Sequence, residues 1–161
     1  MKKLSIQIVI AFVLWISLTV VMYYLFFKNA ANQTIPIYPN QGINHSLDIL
    51  LHNIAIFFIT VIGFVVSPII VVLNNTSLAV SIAANAGNFG WENTFKLLLP
   101  HALVEIPTIL LYQQLSLNML FLFTKHKDFQ SVFKYFYANK FLFLAALVGV
   151  LVGAFIEGII G

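Results

Sequence analysis

Residues 47–88 read LDILLHNIAIFFITVIGFVVSPIIVVLNNTSLAVSIAANAGN, an apolar tract with a single charged side chain, Asp48. About 20 residues suffice for one helix to cross the hydrocarbon core, so this tract is too long for one span. Gly63 and Ser67-Pro68 mark its natural break. The split gives spans at about 47–66 and 68–86. The rest of the chain follows the same pattern. Apolar stretches at about 4–27, 97–123 and 141–160 predict three further spans, and the Gly87-Asn-Phe-Gly-Trp-Glu-Asn93 stretch reads as a turn region. The expected fold is therefore an all-α integral membrane bundle of about five transmembrane helices, one transmembrane domain over residues 1–161.

Composition agrees with this reading. Of 161 residues, 61% are hydrophobic and 8% charged, against about 25% charged in an ordinary soluble domain. Lys2-Lys3 before an apolar run resembles a signal sequence, but the run over 4–27 exceeds the usual h-region of about 7–15 residues. It is expected to remain as a span. Every basic residue is lysine and cysteine is absent, which excludes disulfides and thiolate chemistry. The net charge of +3 reads as membrane topology rather than nucleic-acid binding.

Charge also orients the chain. Lys125, Lys127, Lys134 and Lys140 make residues 124–140 the richest basic loop, and basic loops stay in the cytoplasm. With five crossings this loop and Lys2-Lys3 are both inside, so the N-terminus is expected inside and the C-terminus outside. The segment over 68–86 carries Asn74, Asn75 and Asn85; the alternative for it is a re-entrant segment. Within the basic loop, Phe129, Val132, Phe133 and Phe136 recur at helical spacing opposite Gln130, Ser131 and Lys134. That is a short amphipathic helix on the inner surface: either a simple interfacial anchor, or a docking element presenting Lys125, Lys127, Phe129, Phe133 and Lys134 to a cytosolic partner.

Two of the five acidic residues, Glu105 and Glu157, fall inside spans. A carboxylate at the centre of a membrane helix costs roughly 2.5–3.5 kcal/mol on insertion scales, so both are singled out. Asn53, Thr60, Gly63 and Ser67 share one stripe of their helix. So do Asn74, Ser77, Ser81 and Asn85, and likewise His101, Glu105, Thr108 and Tyr112. Topology puts Asn53, Asn85, His101, Glu105 and Glu157 in the outer third of the membrane, where they are expected to converge. Three readings follow: a hydrogen-bonded plug with one carboxyl protonated, a functional polar site for a peptide, ion or proton, and a metal site, which lacks a paired-histidine motif. Pro107 removes a helix hydrogen bond just beyond Glu105 and is expected to kink that helix. Gly149 and Gly153, four apart, offer a face for close helix packing. No His-Glu-x-x-His, Gly-x-Ser-x-Gly or Gly-x-x-x-x-Gly-Lys-Ser/Thr motif occurs, so no catalytic residue, resident metal or cofactor is expected.

Pro100-His-Ala-Leu-Val-Glu-Ile-Pro107 resembles the His-Gly-x-x-Glu-Leu/Ile-Pro motif of the stage II sporulation protein M family. Phe155-Ile-Glu-Gly158 is similar to that family's Ile-Glu-Ala-Phe ending, and Asn53, Gly63 and Asn85-Ala-Gly-Asn-Phe-Gly90 fit its asparagine- and glycine-marked spans. The likeness runs from about residue 44 onward. Ala102 replaces the usual glycine, and Gly158-Ile-Ile-Gly161 departs from the pattern. The resemblance implies a non-enzymatic multi-pass protein of the bacterial cell membrane. Some members serve forespore engulfment with cell-wall remodelling proteins. Other short members accompany circular bacteriocin systems with ATP-binding subunits, where export, maturation and immunity are implied. The short outer linker at 28–46 and the lysine-rich inner loop favour the second role, with Glu105 and Glu157 as acidic contacts for a small cationic, hydrophobic peptide.

Overall fold

The computed structural model describes residues 2–28 and 42–160, except the side chains at 2, 3, 5, 42–46, 97, 100, 101 and 157–160. Every described element is helical: α1 (Lys2–Met22), extended by a π-helical turn over Tyr23–Phe27, then α2 (Gly42–Ile62), α3 (Ser67–Phe89), α4 (Trp91–His126), α5 (Phe129–Ala138) and α6 (Lys140–Ile160). Most of the outer linker expected at 28–46 lies outside the described residues.

The breaks between helices have local causes. Between α2 and α3 the chain turns over 63–66; Pro68 then sits in the first turn of α3, where its missing N–H is no loss. Ser67 Oγ closes that turn by donating to the Phe64 carbonyl at 2.7 Å. The expected turn region at 87–93 is instead helical on both sides of one residue. Gly90, at φ 77° and ψ 157°, ends α3 and starts α4 by itself. Those dihedrals are essentially open to glycine alone, so a single residue reverses the chain and α4 begins at Trp91 rather than near 97. At the other end of α4, Lys127 in the left-handed region caps the helix. Asp128 then opens α5: its Oδ1 accepts from the Ser131 amide at 2.6 Å and its Oδ2 from Ser131 Oγ at 2.9 Å.

Side-chain contacts fix the direction of each helix. Asn53 of α2 meets Glu105 of α4, Ser116 Oγ of α4 donates to the Thr60 carbonyl of α2 at 2.6 Å, and the Phe64 and Phe123 rings touch. The numbers rise together, so α2 and α4 are parallel. Gly149 faces Thr108 and Gly153 faces Glu105, so α6 runs against α4. The Tyr23 ring lies 4.9 Å from that of Trp91, while Leu4 and Gln7 sit beside Asn118 and Leu122, so α1 is also antiparallel to α4. The five long helices thus alternate up and down.

Two cores hold them. Phe57, Val61 and Phe64 pack with Tyr112, Leu115 and Met119, with Val132 of α5, and with Phe143, Ala146 and Val150 of α6. Trp15 of α1 packs on Ala79 and Ile82 of α3. Outside these cores the apolar side chains face outward: Leu14, Leu25, Phe26, Ile62, Leu73 and Phe141 are among many large exposed ones. A surface of that kind is covered by lipid or protein rather than by water.

Among the described residues, three stretches are long and apolar enough to cross a membrane: Ile6–Phe27, Ser67–Phe89 and Ala102–His126. A fourth results if α5 and α6, bent by 69° at their junction, form one broken span, whereas the apolar part of α2, Leu47–Ile62, is shorter. The observations therefore support three or four of the five expected spans, consistent with a membrane protein. In the amphipathic α5, the apolar face divides. Val132 is buried and Phe136 packs on Phe143. Phe129, although largely exposed, touches the Phe64 and Phe123 rings, and Phe133 points outward.

Candidate functional site

A polar cleft of about 180 Å³ opens between α2, α3, α4 and α6. Some residues of the stripes read from the sequence line it, together with His52. α2 contributes His52 and Asn53, α3 contributes Asn74, Ser77 and Ser81, and α4 contributes Glu105, Thr108 and Tyr112. Asn53 Nδ2 donates to Glu105 Oε1 at 3.5 Å. Thr108 Oγ1 turns back to the Val104 carbonyl at 2.6 Å, as threonine commonly does inside a helix. Ile56, Leu78, Ile109 and Val150 supply the apolar wall.

Glycine packing brings α6 close behind the carboxylate. A Cβ on Gly153 would rest 3.6 Å from Glu105 Cβ, an ordinary contact, whereas a Cβ on Gly149 would collide with Thr108 Oγ1 and Cγ2. Gly149 is thus required for the approach of α6 to α4. Along this antiparallel register, position 157 falls one turn beyond Gly153, level with position 101. The side chains of Glu157 and His101 lie outside the described residues.

Of the expected cluster, Asn53 and Glu105 meet. Asn85 is not among the residues that line the cleft. Ser81 is the last residue of the α3 stripe to reach the cleft, and one further turn carries Asn85 about 6 Å along the axis, past the lining. Pro107 sits inside α4 without ending it; its ring faces an apolar groove of about 350 Å³ between α1, α3 and α4, which Trp15 and Trp91 also line. His52, beside Asn53 on α2, also borders the cleft, a place its sequence position next to Asn53 could have signalled. Among the described residues no group of three histidine or acidic side chains is placed to hold a metal.

Two carboxylates outside the spans have local partners. Lys96 Nζ donates to Glu92 Oε1 at 2.7 Å and holds that carboxyl below the usual range. The Ser131 amide and hydroxyl do the same for Asp128, with a further small contribution from His126. The basic side chains Lys125, Lys127 and Lys134 are exposed around α5.

A small all-helical protein of membrane type, with a carboxylate in a polar cleft between its helices, is the class these features define. The chain belongs to the stage II sporulation protein M family, whose model matches residues 6–161. The match reaches further toward the N-terminus than the motifs at 53–158 and takes in α1. No curated protein and no solved structure matches significantly.

Proposed function

We propose that this protein is a non-enzymatic, multi-pass subunit of a complex in the bacterial cell membrane. It acts with a cytosolic ATP-binding partner in export, maturation or immunity of a small peptide of the circular bacteriocin type. The observation that carries the reading is Glu105, held with Asn53 in a cleft inside a bundle whose exterior is apolar. Keeping an ionisable group in such a place is costly, and the usual return is a binding or transport site. The cleft of about 180 Å³ is proposed to receive the basic side chain of a cationic, hydrophobic peptide rather than the whole peptide. The exposed Lys125, Lys127, Phe129, Phe133 and Lys134 offer the ATP-binding partner its docking face.

The test is to replace Glu105 and Glu157 with glutamine in a producing strain. Peptide export or self-protection should fall at least tenfold while the protein stays at its normal level in the membrane. Full activity in the double variant sinks the site. A second reading is favoured by the family description itself, which names sporulation: a membrane scaffold for forespore engulfment, working with cell-wall remodelling proteins. There the same substitutions would lower membrane abundance by loosening helix packing, and a deletion strain would sporulate poorly. Co-purification from native membranes separates the two readings, through an ATP-binding subunit in one case and wall-remodelling proteins in the other.

A further inference from the structure

At the lysine-rich end of the bundle, α1, α4, α5 and the start of α6 leave a notch of about 300 Å³. Its polar part consists of Gln7, Asn118, Tyr135 and Asn139. Two donors there are unused. Gln7 has no hydrogen-bond partner among the described residues. Tyr135 Oη accepts from Asn118 Nδ2 at 3.2 Å and so keeps its own proton for another acceptor. Asn139 is committed, its Nδ2 donating to the Tyr135 carbonyl at 2.9 Å. Leu4, Leu122 and Leu142 complete the walls, with Phe121 exposed at the edge.

Charge at this end is one-sided. Lys125 and Lys134 stand on α4 and α5, Lys127 caps α4, Lys140 opens α6, and α1 begins with Lys2 and Lys3. The acidic residue of this end, Asp128, accepts from Ser131 as the α5 cap. The notch therefore combines free donors with an apolar wall running into the span, at an end of the bundle that carries a surplus of lysines. That combination suits a group that only accepts hydrogen bonds, carries negative charge and trails a hydrocarbon chain.

We propose that this notch seats one anionic phospholipid, its phosphodiester taking the Gln7 amide and the Tyr135 hydroxyl and its acyl chain lying along Leu4, Leu122 and Leu142. Lysines clustered at the membrane surface attract acidic headgroups to that end of a bundle, and the polar notch beside them then fixes one. The proposal uses the membrane location of the chain but is independent of the Glu105 cleft, which lies toward the opposite end of α4.

Native mass spectrometry of the full chain tests it, with phosphatidylglycerol and phosphatidylcholine supplied in equal amounts. One phosphatidylglycerol should remain bound after detergent removal, about tenfold preferred over phosphatidylcholine. Tyr135→Phe combined with Gln7→Leu should reduce that retention about tenfold, with helical content by circular dichroism unchanged. Gln7→Leu alone, at a half-buried position near the start of α1, should still give a several-fold loss and serves if the double variant does not fold. Equal retention of the two lipids, or retention unchanged in a folded variant, overturns the proposal. Glu105→Gln should leave the bound lipid in place, so failure at the cleft and failure at the notch read out separately.

Discussion

Gly149 and Gly153 occupy equivalent steps of α6, yet their surroundings predict opposite responses to the same change. An added methyl group at 149 meets Thr108, whose hydroxyl is tied to the Val104 carbonyl at 2.6 Å. A β-branched side chain has few rotamers available in a helix, so Thr108 yields only by losing that bond or by pushing α6 away. Gly149→Ala should lower stability by about 1–3 kcal/mol, as overpacking does. At 153 the new methyl rests on Glu105 Cβ at normal distance, and the gain in helix propensity of up to about 1 kcal/mol should leave Gly153→Ala neutral or slightly more stable. Thermal unfolding of the two variants in one detergent checks the pair; equal midpoints would refute the register of α4 and α6. Gly90 is limited differently, since nothing lies within 4 Å of a Cβ there. Its cost is backbone alone: Gly90→Ala should destabilise by about 1–3 kcal/mol through the dihedrals, by the same unfolding measurement. From sequence, Gly149 and Gly153 look alike as a small-residue face, because spacing reports which side of a helix a residue occupies and not how near the neighbour comes.

Helices were legible in this chain wherever apolar runs exceed the length of a span, and the polar stripes on α2, α3 and α4 could be read from spacing because each stripe repeats over several turns. What spacing could not supply is depth. Asn85 shares a stripe with Ser81, but only the end of the cleft decides which of them lines it. Nor could composition show that a turn region of several residues reduces to Gly90, since that depends on one pair of dihedrals. The cap of α5 is a further case. Asp128 and Ser131 stand three apart in the sequence, and the structure turns that spacing into a bonded pair. Bonding to the ionised form holds the folded pKa of Asp128 below its ordinary value of 3.8. The cap's contribution is therefore present above that ordinary value and is lost as pH falls through the lowered folded one. Hydrogen-exchange protection of the α5 amides, corrected for intrinsic rate, should be flat from neutral pH down to about 4 and then decline. Asp128→Asn, which also caps well, should remove the pH dependence while keeping the protection. Asp128→Ala should speed exchange several-fold throughout. An unchanged acid response in Asp128→Asn would assign the titration to another group.

For the molecule as a whole, alternating helix direction sorts the charges to two ends. Lys2, Lys3, Lys125, Lys127, Lys134 and Lys140 collect at one end, and Lys28 lies at the other with the Glu92–Lys96 pair. The sequence assigned these lysines to one side by assuming five crossings; the bundle places them together through contacts that do not depend on that assumption, Leu4 and Gln7 beside Asn118 and Tyr135 and Phe64 against Phe129. If the bundle lies across the bacterial membrane, the lysine-rich end is the cytoplasmic one. The natural absence of cysteine makes this directly measurable. Lys134→Cys on α5 and Asn93→Cys in the first turn of α4 are exposed positions at opposite ends, separated by the 36-residue α4, and they lie on opposite sides of a bilayer only if α4 crosses it. A membrane-impermeant maleimide applied to intact cells should label Cys-substituted position 93 and leave position 134 unlabelled until the cells are opened. The converse pattern would invert the bundle, and labelling of both positions from outside would mean that α4, and with it the depth of Glu105, does not traverse the bilayer. That last outcome would remove the reason for reading Glu105 as an intramembrane carboxylate, because a cleft open to water on both flanks carries no insertion cost for its acid.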